Sequence, residues 1–347
     1  MKALFLAGGK GTRLKPLTDK LPKPMVPIMT KPLLERDITA LKKCGIDEIV
    51  LSVCYKPQHI KEYFQDGDRF GVKMHYVKED VPLGTGGAIK NTEKFYDDTF
   101  LIFNSDILSD IDFKDMIKYH KSKKADVTIA VTTVRNPSAY GVIDYDENNY
   151  AKSFIEKPSP NEITSNYINA GIYIFEPKVL KEIPDGRVVS IERGIFPLLL
   201  KKGYKIAIYN KLSYWMDVGT PKKYFEAHRD ILTGKCKIPE LNLEKSCLYR
   251  GKNVKLHSNV KIIEPAYIGD NVEIGANTVI GPNAVIGNNC CIGTGSNIIG
   301  SILWDNVNIG SGSKLYHSIM SSNCIMDGDS DYYNTIYTPG YTELMAI

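Results

Sequence analysis

The spacing of apolar residues divides the chain into two parts. Up to about Thr233, short apolar, β-rich runs alternate with helical segments. This alternation predicts βαβ units and an α/β fold with a doubly wound, mixed but mostly parallel sheet. The predicted strands are residues 2–7, 48–53, 74–77, 99–103 and 126–134, and the predicted helices are residues 33–43, 57–64, 85–94 and 112–124. In such sheets ligands bind beyond the carboxyl ends of the strands.

From Leu256 onward the period changes to six. An aliphatic residue recurs at every sixth position through Ile298, and a second register of small or β-branched residues runs from Val254 to Ser296. These hexads predict a parallel β-helix, with the aliphatic residues stacked along one interior column. After Ser301 the register falters, and the polar, tyrosine-rich residues 327–347 are expected to cap the coil.

The change of period sets the expected domain boundary. Residues 1–234 are predicted to form the α/β domain, and residues 235–347 the β-helix with its C-terminal cap. A β-helix with flat, apolar-rich faces favours self-association, so we expect a homo-oligomer assembled through this second domain.

Composition narrows the class of protein. With 44 basic and 40 acidic residues the net charge is only +4, which argues against a nucleic-acid partner and suits small anions. The seven cysteines form no Cys-x-x-Cys pair and are expected to be reduced thiols in a cytoplasmic protein. The N-terminus resembles no leader, and no apolar run approaches the roughly 20 residues of a membrane span, so we expect no membrane association.

A glycine-rich loop follows the first predicted strand. Gly8, Gly9 and Gly11 let backbone NH groups converge on an anion, and Arg13 adds a planar fork of charged donors suited to phosphate. The segment lacks the Lys-Ser/Thr ending of a P-loop, and Leu14 stands where a dinucleotide-binding loop would have its third glycine. The loop predicts a phosphate site of another kind, with a plain tight turn as the alternative.

Three further charged residues are candidates for the same phosphate-rich cleft. Lys23 lies between two prolines, and Asp106 and Asp217 each follow a short apolar or aromatic stretch. A lysine in a loop is often solvated, and an aspartate after a strand is often a helix cap. As a pair, however, the two carboxylates have the hard oxygen ligands with which proteins hold Mg²⁺ beside substrate phosphates.

A series of ordered motifs resembles the sugar-1-phosphate nucleotidyltransferase family. The motifs are residues 8–18, 22–25, 82–87, 104–106, 140–142, 154–158, 169–171 and 215–219. The resemblance covers nearly the whole chain, because several branches of this family carry a left-handed hexapeptide β-helix after a Rossmann-like catalytic domain. It implies an enzyme in which an oxygen of a sugar 1-phosphate attacks the α-phosphorus of a nucleoside triphosphate and expels pyrophosphate.

The resemblance also assigns roles residue by residue. Arg13, Lys23, Asp106 and Asp217 would be catalytic, and the two aspartates would bind the Mg²⁺ cofactor. The implied nucleotide-binding residues are Leu6, Ala7, Gly8, Gly9, Gly11, Thr12, Arg13, Glu79, Pro82, Gly84, Thr85 and Ser105. The implied sugar-phosphate residues are Gly141, Glu156, Lys157, Asn169 and Trp215.

The substrates are expected to be GTP and mannose 1-phosphate. A carboxylate at Glu79 could accept the paired N1 and 2-amino hydrogens of guanine, which the other bases do not present. The segments 82–85, 136–142 and 214–219 most resemble the mannose-1-phosphate guanylyltransferase branch, although glucose-1-phosphate uridylyl- and thymidylyltransferases share much of this sequence. The chain departs from the common pattern in having Gly86-Gly87 where Ala-Gly is frequent.

Two other classes of function remain open. A catalytically inactive sugar-nucleotide sensor would keep the fold but lose a metal carboxylate or the phosphate arginine, and this chain keeps both. Hexapeptide coils also build acyltransferases with a histidine general base, for which His257 and His317 are the candidates. Neither histidine lies in a recognisable acceptor constellation, and solvated surface histidines are the simpler interpretation.

Overall fold

The structure is a computed structural model and describes residues 1–241 and 247–345. Its internal packing separates two units. The first consists of Met1–Lys10, Pro22–Met25 and Leu33–Trp215. The second consists of Gly11–Leu21, Val26–Pro32 and the described residues from Met216 onward. The predicted α/β sheet and the left-handed parallel β-helix after it are both confirmed.

Within the described residues 1–241, thirteen strands and six α-helices precede the coil. The strands are β1 (Ala3–Ala7), β2 (Pro27–Ile28), β3 (Lys31–Pro32), β4 (Glu48–Val53), β5 (Lys73–Lys78), β6 (Phe100–Asn104), β7 (Ile107–Ser109), β8 (Val127–Thr133), β9 (Gly141–Tyr145), β10 (Ala151–Glu156), β11 (Tyr167–Phe175), β12 (Ile206–Tyr209) and β13 (Trp215–Asp217). The helices are α1 (Leu33–Lys43), α2 (Pro57–Phe64), α3 (Gly84–Asn91), α4 (Phe113–Lys123), α5 (Phe196–Lys201) and α6 (Pro221–Leu232).

The first unit is built on a nine-stranded mixed sheet. Seven strands run in the order β10-β9-β11-β6-β1-β4-β5, while β8 pairs with β11 and β12 pairs with β8. The pairs β1–β4, β1–β6 and β4–β5 are parallel, whereas β11 is antiparallel to β6, β8 and β9. Because β1 and β6 are parallel neighbours, the loops after their carboxyl ends lie side by side.

Helices of the first unit bury apolar residues that recur at helical spacing. In α1, Leu34, Ile38 and Leu41 recur at helical spacing and are fully buried. In α4, Asp112 caps the N-terminus by accepting a hydrogen bond from the backbone NH of Asp115 at 3.0 Å. The helix predicted at 85–94 begins at Gly84 and ends at Asn91, because the Thr92 hydroxyl bonds back to the carbonyl of Ile89 at 2.7 Å.

The second unit is a triangular coil of short parallel strands. One face stacks β14 (Leu248–Arg250), β17 (Ala266–Ile268), β20 (Ala284–Ile286), β23 (Ile302–Leu303), β26 (Ile319–Met320), β29 (Thr335–Thr338) and the antiparallel β30 (Tyr341–Leu344). The second face stacks β15 (Lys255–Leu256), β18 (Glu273–Ile274), β21 (Cys291–Ile292), β24 (Asn308–Ile309) and β27 (Ile325–Met326). The third stacks β16 (Lys261–Ile262), β19 (Val279–Ile280), β22 (Asn297–Ile299), β25 (Lys314–Tyr316) and β28 (Asp331–Tyr333).

One expectation about the coil is wrong. The aliphatic residues form three interior columns instead of one, because consecutive hexads occupy different faces and only residues a whole coil apart stack, as Ile268 does on Ile286. The six-residue register falters near Ser301, as expected, but the coil itself continues. There the coil shortens from 18 to 17 residues while strand pairing is kept, so that Val285 pairs with Ile302.

Asparagines shape one corner of the coil. Asn253, Asn271, Asn289, Asn306 and Asn323 have φ between 55° and 63°, a left-handed conformation that asparagine tolerates better than most residues. Their side-chain amides form a ladder, each donating to the next carbonyl oxygen at 3.0–3.2 Å. The ladder therefore supports both the corner geometry and the stacking of successive coils.

Helix α6 packs on the coil within the second unit. Thr220 caps it, and the Tyr224 hydroxyl donates to the carbonyl of Pro27 at 2.5 Å and accepts from the Trp304 indole NH at 2.9 Å. No helix among the described residues is long and apolar enough to cross a membrane. All seven cysteines lie within the described residues and are free thiols.

Candidate functional site

The loop after β1 opens a cavity in the first unit. A Cβ at Gly8 would lie 3.2 Å from Glu79 Oε1 and 3.3 Å from Cys54 Cβ, so the loop passes close to its neighbours there. Gly9 has no heavy atom within 4 Å of the corresponding position and is exposed. The backbone at Gly9 therefore faces open space, as a phosphate-binding loop requires.

The cavity has a volume of about 360 Å³. Its walls come from four places in the sequence, namely the loop after β1, the segment around Lys23, the turn into α3 and the end of β6. The lining residues are Leu6, Gly8, Gly9, Lys23, Pro24, Glu79, Pro82, Gly84, Thr85, Ala88, Asn104, Ser105 and Asp106. Ten of these are residues that the sequence placed at a substrate site.

Three residues that line the cavity were not among those expected from the sequence. Pro24 and Asn104 directly precede or follow predicted site residues, so adjacency was the available signal. Ala88 lies one helical turn after Gly84, which only the helical geometry of α3 indicates. Ala7, by contrast, is buried in β1 and is not among the residues that line the cavity.

Lys23 and Asp106 form an ion pair at the cavity. Lys23 begins a 3-10 helix (Lys23–Met25), and Asp106 lies two residues after β6. The Lys23 Nζ atom is 2.6 Å from Asp106 Oδ2, with side-chain exposures of 11% and 33% respectively. A cation and a partly solvated carboxylate thus lie together beside the glycine loop, which is the charge arrangement that two phosphate esters and a divalent cation need.

Glu79 is buried in the cavity wall and has protein partners. Its Oε1 accepts a hydrogen bond from the Ser52 hydroxyl at 2.8 Å, and its Oε2 accepts one from the backbone NH of Leu83 at 3.0 Å. Each carboxylate oxygen has two acceptor positions, so one remains on each atom for a base edge. Ser52 and Leu83 fix the orientation of the carboxylate.

Glu156 and Gly141 face each other on neighbouring strands. They pair in the antiparallel register of β9 and β10, and a Cβ at Gly141 would lie 2.8 Å from Glu156 Oε2 and 2.6 Å from Phe154 Cζ. Burial raises the pKa of Glu156, the negative charge of Glu192 raises it further, and Lys157 and Arg193 oppose the shift. Lys157 follows with a φ of 52°.

Asn169 and Trp215 use their polar groups within the protein. The Asn169 amide donates to the Tyr173 hydroxyl at 2.7 Å and its oxygen accepts from the backbone NH of Gly171 at 2.9 Å. The Trp215 indole NH donates to the carbonyl of Ala170 at 2.9 Å, and its ring meets Tyr140 edge-on. These contacts shape the wall around β11 and hold both side chains in place.

The remaining predicted residues belong to the second unit. Gly11 has a φ of 62° and precedes a 3-10 helix (Thr12–Leu14) that carries Arg13. A Cβ at Gly219 would lie 3.2 Å from Arg13 Nη2 and 3.5 Å from Asp217 Oδ2, so both side chains border this glycine. Asp217 forms an ion pair with Lys223, whereas Arg13 has no hydrogen-bond or ion-pair partner within the described residues.

A metal ion bound by Asp106 or Asp217 would have few protein ligands. Among residues 1–241 and 247–345, no group of three or more His, Cys, Asp or Glu side chains is arranged to hold a metal ion. Zinc and other ions that need a full set of side-chain ligands do not fit this donor set. Magnesium fits, because it is usually held by one or two carboxylates together with substrate phosphates and water.

A second cavity, of about 390 Å³, lies within the second unit. It is bordered by Lys222 and Arg229 of α6 and by coil residues that include Asn283, Ile302 and His317. The predicted substrate residues are not among the described residues that line it. The other histidine candidate, His257, is exposed and lies 3.0 Å from Glu273.

Comparison with known proteins matches both parts of the chain. Residues 2–234 match the family described as Nucleotidyl transferase, and residues 245–332 match the domain described as EIF2B subunit epsilon LbH domain.

Individual relatives and a solved structure agree with these matches. A mannose-1-phosphate guanylyltransferase from Mycobacterium tuberculosis is 41% identical over 69% of this chain and 67% of its own length. A UTP–glucose-1-phosphate uridylyltransferase from Synechocystis is 38% identical over 78% of this chain and 74% of its own length. A crystal structure of HddC from Yersinia pseudotuberculosis complexed with GMP-PN is similar with a TM-score of 0.55 and 32% identity, covering 65% of this chain and 97% of that one.

Proposed function

Because the chain belongs to the nucleotidyl transferase family, we propose that it transfers the guanylyl group of GTP to mannose 1-phosphate and releases pyrophosphate. An oxygen of the sugar 1-phosphate attacks the α-phosphorus of the triphosphate, and the bond to the β-phosphate oxygen breaks. Since both reactants are polyanions, catalysis depends mainly on holding them in line and neutralising their charge.

The observation that supports this proposal most directly is the Lys23–Asp106 pair in the cavity beside the glycine loop. Lys23 is mostly buried, so it meets a phosphate with little competing solvent and its electrostatic effect is strengthened. In our proposal it neutralises the α-phosphate and the attacking phosphate. The backbone at Gly8 and Gly9 binds the triphosphate, and Arg13 neutralises the departing pyrophosphate.

We assign Mg²⁺ binding to Asp106 and Asp217, whose carboxylates match its preference for hard oxygen ligands. When bound, the ion withdraws charge from the α-phosphate and so makes the phosphorus a better electrophile. With the ion bound there, Lys23 and Lys223, which pair with these carboxylates, would be available to interact with substrate oxygens.

The sugar phosphate is assigned to Glu156, Gly141 and Lys157. The Glu156 carboxylate would accept hydrogen bonds from sugar hydroxyls, and Lys157 would pair with the phosphate. Gly141, which has no side chain, lets Glu156 and Phe154 pack closely against its backbone. Asn169 and Trp215 would border the sugar while their polar groups keep the β11 wall in shape.

Two observations favour GTP and mannose 1-phosphate. Glu79 lines the cavity with an oriented carboxylate that keeps acceptor capacity for guanine, and the name of the mycobacterial relative specifies this reaction. The Synechocystis relative carries a uridylyltransferase name, so UTP with glucose 1-phosphate, or a thymidylyl equivalent, is the alternative pair.

A panel of four nucleoside triphosphates against mannose, glucose and heptose 1-phosphates tests the proposal. Pyrophosphate release with Mg²⁺ present should be most efficient for GTP with mannose 1-phosphate, by about tenfold or more in kcat/KM. Preference for UTP or dTTP would overturn the nucleotide assignment. No turnover with any pair would favour the sensor.

Glu79 offers a residue-level test of the nucleotide assignment. Glu79→Gln should lower kcat/KM for GTP by about 10-fold to 100-fold relative to other nucleotides, because an amide cannot accept both guanine donors. Ser52→Ala is the matched control, since it removes a bond to the same carboxylate without removing the charge. Equal losses in both variants would show that Glu79 supports only the wall.

The assembly and location of the protein are further parts of the proposal. We assign catalysis to residues 1–234 and self-association to the β-helix of residues 235–347, whose faces carry exposed apolar residues such as Ile325 and Tyr333. Light scattering of the full chain should give a dimer or larger, and a monomer at micromolar concentration would contradict this. The free thiols are consistent with action in a cytoplasm.

A further inference from the structure

Glu192 lies in a short π-helical turn (Ile191–Ile195) about a hundred residues after the cavity-lining turn of α3. Its Oε2 atom accepts hydrogen bonds from two hydroxyls, those of Thr85 and Ser190, each at 2.7 Å. The Thr85 hydroxyl in turn accepts from the backbone NH of Ile191 at 2.9 Å. One carboxylate oxygen thus ties a nucleotide-cavity residue to the π-helical turn.

The backbone around this carboxylate is joined in the same way. The carbonyl of Val189 accepts from the NH groups of Gly86 and Gly87 at 2.8 and 3.3 Å, and the NH of Val189 donates to the carbonyl of Leu83 at 2.8 Å. A Cβ at Gly84 would lie 2.6 Å from the Val189 oxygen. The turn 83–87 and the segment 189–192 therefore form one hydrogen-bonded layer under the cavity.

The π-helical turn that carries Glu192 also packs against β10, the strand that ends at Glu156. Burial raises the pKa of Glu156 and of Tyr173, and the negative charge of Glu192 raises both further. Lys157 and Arg193 also face Glu156, and both oppose the effect of Glu192. Tyr173 accepts the hydrogen bond from the Asn169 amide.

We propose that Glu192 is a positioning residue for both substrates. Through Thr85 it fixes the turn on which the nucleotide rests, and from the turn packed on β10 its charge acts on the Glu156 carboxylate that binds the sugar. The inference rests on the proposed function, because it takes Thr85 as part of the nucleotide site and Glu156 as part of the sugar site.

Two substitutions at Glu192 separate these two effects. Glu192→Gln keeps an oxygen that can accept the Thr85 and Ser190 hydroxyls but removes the charge, so KM for the triphosphate should stay within about twofold. Without the neighbouring negative charge the pKa of Glu156 falls, and the acidic limb of kcat/KM for the sugar phosphate should move to lower pH. Glu192→Ala also removes the hydroxyl acceptor and should raise KM for the triphosphate about tenfold.

Two more variants provide the controls. Thr85→Val should raise KM for the triphosphate by about the same factor while leaving the pH profile for the sugar phosphate in place. Glu176→Gln is the matched control, because Glu176 also accepts a threonine hydroxyl, that of Thr99 at 2.8 Å, and lies in a separate network with His120. It should lower thermal stability without changing either KM.

Equilibrium binding of GTP to each full-length variant keeps this test independent of turnover. If the wild type bound GTP but turned over no substrate pair, the proposed function would fail, while the expected tenfold weaker binding by Glu192→Ala would still support the nucleotide half of the inference. The inference itself is overturned if Glu192→Ala folds, behaves like Glu176→Gln in both KM values and GTP affinity, and leaves the acidic limb unmoved.

Discussion

Adjacent glycines in α3 should respond very differently to the same added methyl group. A Cβ at Gly87 would lie 2.5 Å from the backbone oxygen of Arg187 and 2.9 Å from Leu83 Cβ. A Cβ at Gly86 would meet Val189 instead, at 3.0 Å from Cγ1 and 3.2 Å from the carbonyl oxygen. The sequence has glycine at both places.

The expected changes in stability depend on whether the atoms that meet the added methyl group can move aside. At Gly86 the nearest atom is a side-chain methyl that can shift by a few tenths of an ångström, and alanine gains about 0.5–1 kcal/mol in helix propensity, so Gly86→Ala should be close to neutral. At Gly87 the obstacle is a backbone carbonyl, well inside the ordinary contact distance of about 3.4 Å. Overpacking of this kind costs roughly 1–3 kcal/mol.

Thermal unfolding and steady-state kinetics of both variants test this reasoning. Gly87→Ala should lower the unfolding midpoint by roughly 4–8 °C, and Gly86→Ala should leave it within about 2 °C. Because residues 187–189 would be displaced from the cavity-lining turn, Gly87→Ala should also raise KM for the nucleoside triphosphate. A Gly87→Ala protein with wild-type stability and KM would refute the argument, and so would equal damage from both substitutions.

Three other outcomes are expected. Asp106→Asn should lower kcat by about 10³-fold or more while circular dichroism shows an intact fold, since the amide loses transition-state charge stabilisation; near-normal turnover would remove Asp106 from the mechanism. Glu156→Gln should raise the unfolding midpoint at pH 8, and this gain should fade toward pH 4.5. The pKa of Glu156 is raised in the folded state, so the wild-type protein loses stability as the pH rises through this window, whereas the neutral glutamine does not titrate. A midpoint unchanged by the substitution across the pH range would contradict this. Asn289→Gly should destabilise the coil less than Asn289→Ala, by about 1 kcal/mol in urea unfolding, because only alanine adds strain at a φ of 57°; equal losses would assign the whole effect to the amide ladder.

The apolar pattern of the sequence determined both fold classes and, to within a few residues, the bounds of the strands and helices that it predicted up to residue 134. It did not locate α5, α6 or the later strands of the sheet. Helix α1 begins and ends where its amphipathic spacing predicts, and the six-residue period predicts a parallel coil, because both patterns depend on which residues must be buried along one element. The sequence did not determine the number of interior aliphatic columns. A period of six residues is compatible with any number of faces until the geometry of the corners is known. The three columns reflect corners, such as the asparagine corner with its positive φ, at which the chain turns onto a new face.

In the candidate site, too, some residues were indicated by the sequence and others only by the tertiary structure. Motifs contiguous in sequence, such as the glycine loop and Ser105-Asp106, indicated cavity residues because each motif comes directly after a strand whose end faces the cavity. Glu192 gave no such signal, since its role depends on Thr85 and Glu156, which lie far away in the chain. Only the tertiary structure brings these groups together, because a hydrogen bond or a charge effect depends on distance in space and leaves no period in the sequence.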